Sequence, residues 1–108
     1  MQRDYRAYLD DIIDAIANIE EYTANLEFEE FMENKMVRDA TIRNLEIIGE
    51  AVKNLPDDIK EKHPEVEWRE IAGLRDILAH KYFEINVKII WDIIKNKIPE
   101  LKDQISEI

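Results

Sequence analysis

"WREIAGLRDILAHKYFEIN", residues 68–86, combines an apolar helical pattern, a crowd of ionisable groups and one of the chain's two glycines. Trp68, Ile71, Ala72, Leu74, Ile77 and Leu78 recur at three- and four-residue spacing, which predicts a helix with one face turned to a core. Polar groups then gather toward its end: Arg75, Asp76, His80, Lys81 and Tyr82. The chain has only two histidines, so the position of His80 calls for a reason.

Outward from this stretch the sequence predicts helices throughout. Tyr5, Tyr8, Leu9, Ile12, Ile13, Ile16 and Ile19 share a face of a first helix, with Asp10, Asp11, Asp14, Glu20 and Glu21 turned to water. A short pattern around Phe28, Phe31 and Met32 leads to Asn34. A long run with Val37, Ala40, Thr41, Leu45, Ile48, Ala51, Val52 and Leu55 then continues until Pro56 stops it, as one kinked helix or two. "PDDIKEKHPEV" reads as a short helix and a connection, with His63 an exposed loop residue. Asn86 is a candidate N-cap for Val87, Ile90, Trp91, Ile94 and Ile98, and Pro99 opens a last short helix with Leu101 and Ile105. Gly49 and Gly73 fall inside helical patterns, where each costs about 1 kcal/mol relative to alanine. A close crossing of "LEIIGEA" and "REIAGLRD" at Gly49, Ala72 and Gly73 would offset that cost, and would bring Glu46 and Glu50 near Arg75.

Composition narrows the function classes. A chain of 108 residues fits one domain, 1–108, able to bury a core without staples. Without cysteine there is no disulfide framework, thiolate metal site or cysteine nucleophile, and no charged-then-apolar leader opens the chain, so a cytoplasmic location is expected. No apolar run approaches the roughly 20 residues that cross a bilayer. Twenty-five acidic against fifteen basic residues give a net charge of -10, which repels a polyanion at long range. RNA would have to be held by a local basic patch, for which Lys81, Arg43, Arg38 and Lys53 are the candidates. The wealth of Glu, Lys and Ile, with glutamine only at Gln2 and Gln104, is similar to that of heat-adapted proteins.

The chemistry in residues 75–82 suits phosphodiester cleavage. A histidine with a pKa near 6.5 exchanges protons with a ribose 2′-hydroxyl or a leaving oxygen, and a guanidinium donates paired hydrogen bonds to a phosphate gathering charge. No metal or other cofactor is needed. Asp76, four residues before His80, lies on the same helical face and can orient the ring. On an unbroken helix Arg75 and His80 stand about 140° apart, so one helix alone makes a poor site. A helix end near His80, or two copies meeting across a two-fold axis, would bring them together. The structural alternative is ordinary: His80 near a helix C-terminus, a surface pair with Asp76, and Tyr82 and Phe83 in packing roles. A carboxylate-bundle di-metal centre needs Glu-x-x-His pairs, and neither His63 nor His80 has a glutamate three residues before it.

"RNLEIIGEAVKNLP" at 43–56 and "WREIAGLRDILAHKYFEIN" at 68–86 together resemble, in order, the characteristic blocks of the HepT-like branch of the HEPN superfamily, whose signature is Arg-x4-His-x-Tyr. The resemblance spans essentially the whole chain. It implies an all-α, HEPN-type antiparallel helical bundle of four to five main helices plus short ones, forming a homodimer with a metal-independent ribonuclease site at the interface. By this carry-over Arg75 and His80 are catalytic, with Asp76 supporting. It further implies the toxin of a two-gene, type VII-like toxin–antitoxin system, neutralised when a small nucleotidyltransferase antitoxin transfers AMP onto Tyr82. The alternative within the superfamily is a non-catalytic dimerisation, docking or nucleotide-binding module that partners such a nucleotidyltransferase.

Overall fold

Helix α1, Tyr5–Thr23, starts where the Asp4 carboxylate accepts the Arg6 backbone N–H at 3.0 Å and satisfies one of the donors a helix start leaves open. The Arg6 guanidinium closes on the same carboxylate at 2.9 Å, and this contact holds Asp4 below the usual carboxylate range. The computed structural model describes residues 4–74, Leu78 and residues 83–108, with backbone only for 83–86. Asn25, at φ 66°, takes the left-handed conformation that asparagine tolerates and turns the chain into α2, Phe28–Glu33. Asn34 both ends α2 and caps α3, Lys35–Asn54, its side chain accepting the Val37 N–H at 3.1 Å. The expected long run is therefore a single helix, set off from the short α2 by one capping residue. Leu55 turns extended before Pro56, as a residue preceding proline must, and α4 spans Asp57–Lys62.

Helix α5, Trp68–Ala72, is tied back to α4 by the Trp68 indole, which donates to the carbonyls of Lys60 at 3.2 Å and His63 at 2.9 Å. His63 is accordingly half-buried at the end of α4, with Nδ1 3.4 Å from Glu65 Oε1, and not the exposed loop residue the sequence suggested. Helix α6, Phe83–Asp92, begins three residues before Asn86, so Asn86 is inside a helix and does not cap it. A cap contributes about 1 kcal/mol, too little to overrule a helix favoured by tertiary packing.

Pro99 stands in the first turn of the last helix, as its place in the sequence suggested. The chain passes from α6 through a π-helical turn, Ile93–Lys97, into α7, Ile98–Ser106, with Lys97 and Ile98 both right-handed helical. Proline lacks an N–H and its ring crowds the carbonyl four residues earlier. The wider turn, with the Ile98 N–H donating to the Ile93 carbonyl, keeps the helix running past that obstacle.

These helices form the expected all-α bundle, with no strand among the described residues. Leu9, Ile12, Ile16 and Ile19 of α1 meet Leu45, Ile48 and Val52 of α3, and α1 with α3 makes the most extensive helix pair. Phe31, Leu74, Val87, Ile90, Ile94, Ile98, Leu101 and Ile105 complete the core. Each large aliphatic side chain so buried contributes about 1.5–3 kcal/mol. Ile13 departs from the expected face, being 47% exposed; one residue from Ile12 is about 100° of rotation, which carries it off the face that Ile12, Ile16 and Ile19 share. The core also holds a polar pair. Asn18 Nδ2 donates to Asn44 Oδ1 at 3.1 Å and Asn44 Nδ2 to the Ala40 carbonyl at 2.8 Å, fixing α1 against α3.

Gly49 explains itself. A Cβ built there would lie 3.2 Å from the Ile71 carbonyl oxygen and 3.8 Å from that of Ala72, so α3 and α5 touch at the backbone. Gly73 plays a different part from the one expected. It caps α5, its N–H donating to the carbonyls of Arg69 and Ile71, and an added Cβ would meet only the turn before it. Gly49→Val should therefore lower stability by about 1–3 kcal/mol, the cost of overpacking. Gly49→Ala should cost less, because alanine regains about 1 kcal/mol of helix preference. Urea denaturation measures both; a valine variant as stable as the wild type would refute the close crossing.

Candidate functional site

The segment that carries the motif is anchored on both sides. At its start α5 lies against Gly49, and Leu74, the residue before Arg75, is buried at 6% exposure. Leu78 packs half-buried against the same core, and the backbone is helical over the described residues from Phe83. Arg75, Asp76, His80, Lys81 and Tyr82 themselves lie outside the described residues, and with them the expected approach of Glu46 and Glu50 to Arg75. Backbone packing at Gly49 and the burial of Leu74 thus hold the chain just before the motif.

The other candidate cations are on or beside α3. Lys53 is exposed one turn after Gly49, about 40° from it around the helix, on the flank that faces α5. Arg43 is exposed about 120° from Gly49, turned away from that contact. Arg38 is half-buried, and its guanidinium donates to the Met32 carbonyl at the end of α2. That bond gives Arg38 a structural task in joining α2 to α3. Of the three, Lys53 is best placed to meet an anion held near the motif.

Carboxylates and cations both surround α5 among the described residues, with Arg69 exposed on the helix itself. Glu67 and Glu70 are exposed on its first turn and just before it, and Glu50 on α3 accepts from Asn54 Nδ2. Lys97 reaches across from the π-helical turn to Glu67 at 3.3 Å, a hydrogen bond that holds its ammonium above the usual lysine range. Among the described residues no three His, Asp or Glu side chains gather as a metal-ligand set. None of the helices, among the described residues, is long and apolar enough to cross a membrane.

What the sequence did not reveal is how α5 is held: the Trp68 indole on the end of α4, and the Gln104 amide donating to the Glu65 carbonyl at 3.0 Å. Trp68 showed only as an apolar position, and Gln104 carried no signal, since its partner is far away in sequence. The held α5 and the buried Leu74 immediately precede, in sequence, the short segment that contains arginine, aspartate, histidine, lysine and tyrosine.

The profile of a family described as "Ribonuclease HepT-like" matches residues 12–108. The chain is 47% identical over 108 residues to a Thermococcus cleftensis protein named "Probable ribonuclease HepT", covering 100% of this chain and 98% of that one. A Methanocaldococcus jannaschii protein named "Putative RNase" is 49% identical over 107 residues, 99% of this chain and 88% of its own. A third relative, a "Putative RNase" of Caldanaerobacter subterraneus subsp. tengcongensis, is 48% identical over 103 residues, 95% and 92% of the two chains. No solved structure gives a significant match.

Proposed function

The chain belongs to the ribonuclease HepT-like family, and from that premise we propose that it is a metal-independent ribonuclease whose catalytic residues are Arg75 and His80. What carries this reading is the family match across residues 12–108, together with the intact Arg-x4-His-x-Tyr motif that begins one residue after the buried Leu74. Residues 1–108 act as one domain in the cytoplasm, and two copies form a dimer that brings both sets of Arg75 and His80 to one cleft.

In that cleft the 2′-oxygen of a ribose attacks the neighbouring phosphorus while the bond to the 5′-oxygen breaks. An imidazole takes the 2′-hydroxyl proton, and an imidazolium returns one to the leaving oxygen. Arg75 donates paired hydrogen bonds to the phosphoryl oxygens as charge collects on them. Asp76 orients His80 and favours its protonated form, while Lys81 and Lys53, with Arg43 further off, attract the backbone of the substrate. The products are a 2′,3′-cyclic phosphate and a free 5′-hydroxyl. The protein should therefore cut RNA and leave DNA of the same sequence intact; equal cutting of both would rule out attack by the 2′-oxygen.

Control falls to Tyr82. A nucleotidyltransferase antitoxin joins the Tyr82 phenolic oxygen to the α-phosphorus of ATP, releasing pyrophosphate and a proton, and the attached AMP adds negative charge where the RNA phosphate belongs. This makes the chain the toxin of a toxin–antitoxin pair. Incubation with the cognate transferase and ATP should add one adenylyl group by intact mass and stop cleavage, and Tyr82→Phe should block the addition. Addition to Tyr82→Phe at the wild-type rate would remove Tyr82 from this role.

A further inference from the structure

Helices α5 and α7 and the π-helical turn enclose a groove of about 210 Å³ whose floor is apolar: Ile48, Ile71, Leu74, Ile93, Ile98 and Leu101. Its rim is polar, and among the described residues exposed Glu67, Glu70 and Glu100 stand against one cation, Lys97, already paired with Glu67. The volume lies below the roughly 300–1,000 Å³ of pockets that hold whole small molecules, and suits one or two large side chains inserted from outside. We propose that this groove docks an amphipathic helix of a partner protein, which inserts leucine-like anchors over Ile71, Ile98 and Leu101 and sets lysine or arginine against Glu70 and Glu100.

Charge complementarity selects that occupant. An RNA strand would bring phosphates against three carboxylates. A second copy meeting this face across a two-fold axis would bring one rim of three carboxylates against another, and like charges so juxtaposed repel. A basic helix removes both penalties and buries the apolar floor, the recurrent helix-in-groove mode. The inference does not depend on the reaction proposed above, because none of these residues belongs to the motif.

The test is a titration of the full chain, labelled at its isoleucine and leucine methyls, with a model helical peptide made only of leucine and lysine. Saturable shifts are expected at Ile71, Ile98 and Leu101, and none with the matching peptide of leucine and glutamate. Glu70→Lys/Glu100→Lys should weaken binding about tenfold or more. Asp14→Lys/Glu21→Lys, on exposed positions of α1, should leave it unchanged, with the helix content of both variants checked by circular dichroism. Four results would overturn the proposal: no saturable shift, equal binding of the glutamate peptide, an equal loss from the α1 variant, or groove methyls already contacting a second copy in the free protein.

Discussion

His80→Ala should cut the rate of RNA cleavage by about a hundred- to ten-thousand-fold, the range lost when a general acid–base group is removed. Arg75→Ala should cost about a hundred- to a thousand-fold through lost stabilisation of the charged transition state. Arg75→Lys should recover only part of this, since an ammonium keeps the charge but not the paired hydrogen bonds. These losses report chemistry only if the protein still folds, so helix content and dimer mass are measured beside each rate. Among the described residues, Leu74 is buried among apolar neighbours and α5 is held by Gly49, Trp68 and the α4 carbonyls. Full activity in both alanine variants would assign Arg75 and His80 to surface pairing, and unfolding of both would make them structural.

Phe31→Ala should have the largest effect on stability, about 3–5 kcal/mol. Phe31 is wholly buried, its ring centroid 5.1 Å from that of Trp91, which also meets Phe28 edge-on at 6.2 Å and carries the Lys95 ammonium 4.6 Å from its own centroid. The truncation opens a void where α2 meets α6. Against the total of about 5–15 kcal/mol that holds a domain folded, such a loss brings the protein close to unfolding at ordinary temperatures. Met36, 81% exposed, supplies the control: Met36→Ala should change stability by less than about 0.5 kcal/mol. Urea denaturation of the two variants side by side decides the matter, and a Phe31→Ala midpoint equal to that of Met36→Ala would show that the aromatic cluster contributes little.

The helices were readable in the sequence wherever apolar residues kept a strict three- and four-residue spacing, as in α1, α3 and α7. Their ends were less so, for reasons visible residue by residue. Gly73 reads as one more helical position until the α5 carbonyls of Arg69 and Ile71 are seen to accept its N–H. Pro99 marked the start of the last helix correctly, but no spacing announced the π turn over Ile93–Lys97 that joins it to α6. Asn86 has the chemistry of a cap and was overruled by a helix beginning at Phe83. The Asn18–Asn44 pair escaped notice because each amide looks like an ordinary helix position until the other helix is placed against it. The site shows the reverse balance. The proposed chemistry could be read in Arg75, Asp76, His80 and Tyr82, since reactivity belongs to side-chain type, whereas the geometry that the proposed dimer would give them is encoded by no spacing within one chain. Between the two stands Gly49, whose cost in a helix announced a close crossing and whose partner proved to be the α5 backbone at Ile71 and Ala72.

One measurement bears most directly on the central claim: cleavage of mixed cellular RNA by the wild-type protein in EDTA, with the dimer verified by light scattering and Tyr82 shown free of AMP by intact mass. Cleavage under these conditions, ending in 2′,3′-cyclic phosphates, is the predicted result. No cleavage by the unmodified dimer, or cleavage that appears only when a divalent cation is restored, would contradict a metal-independent ribonuclease.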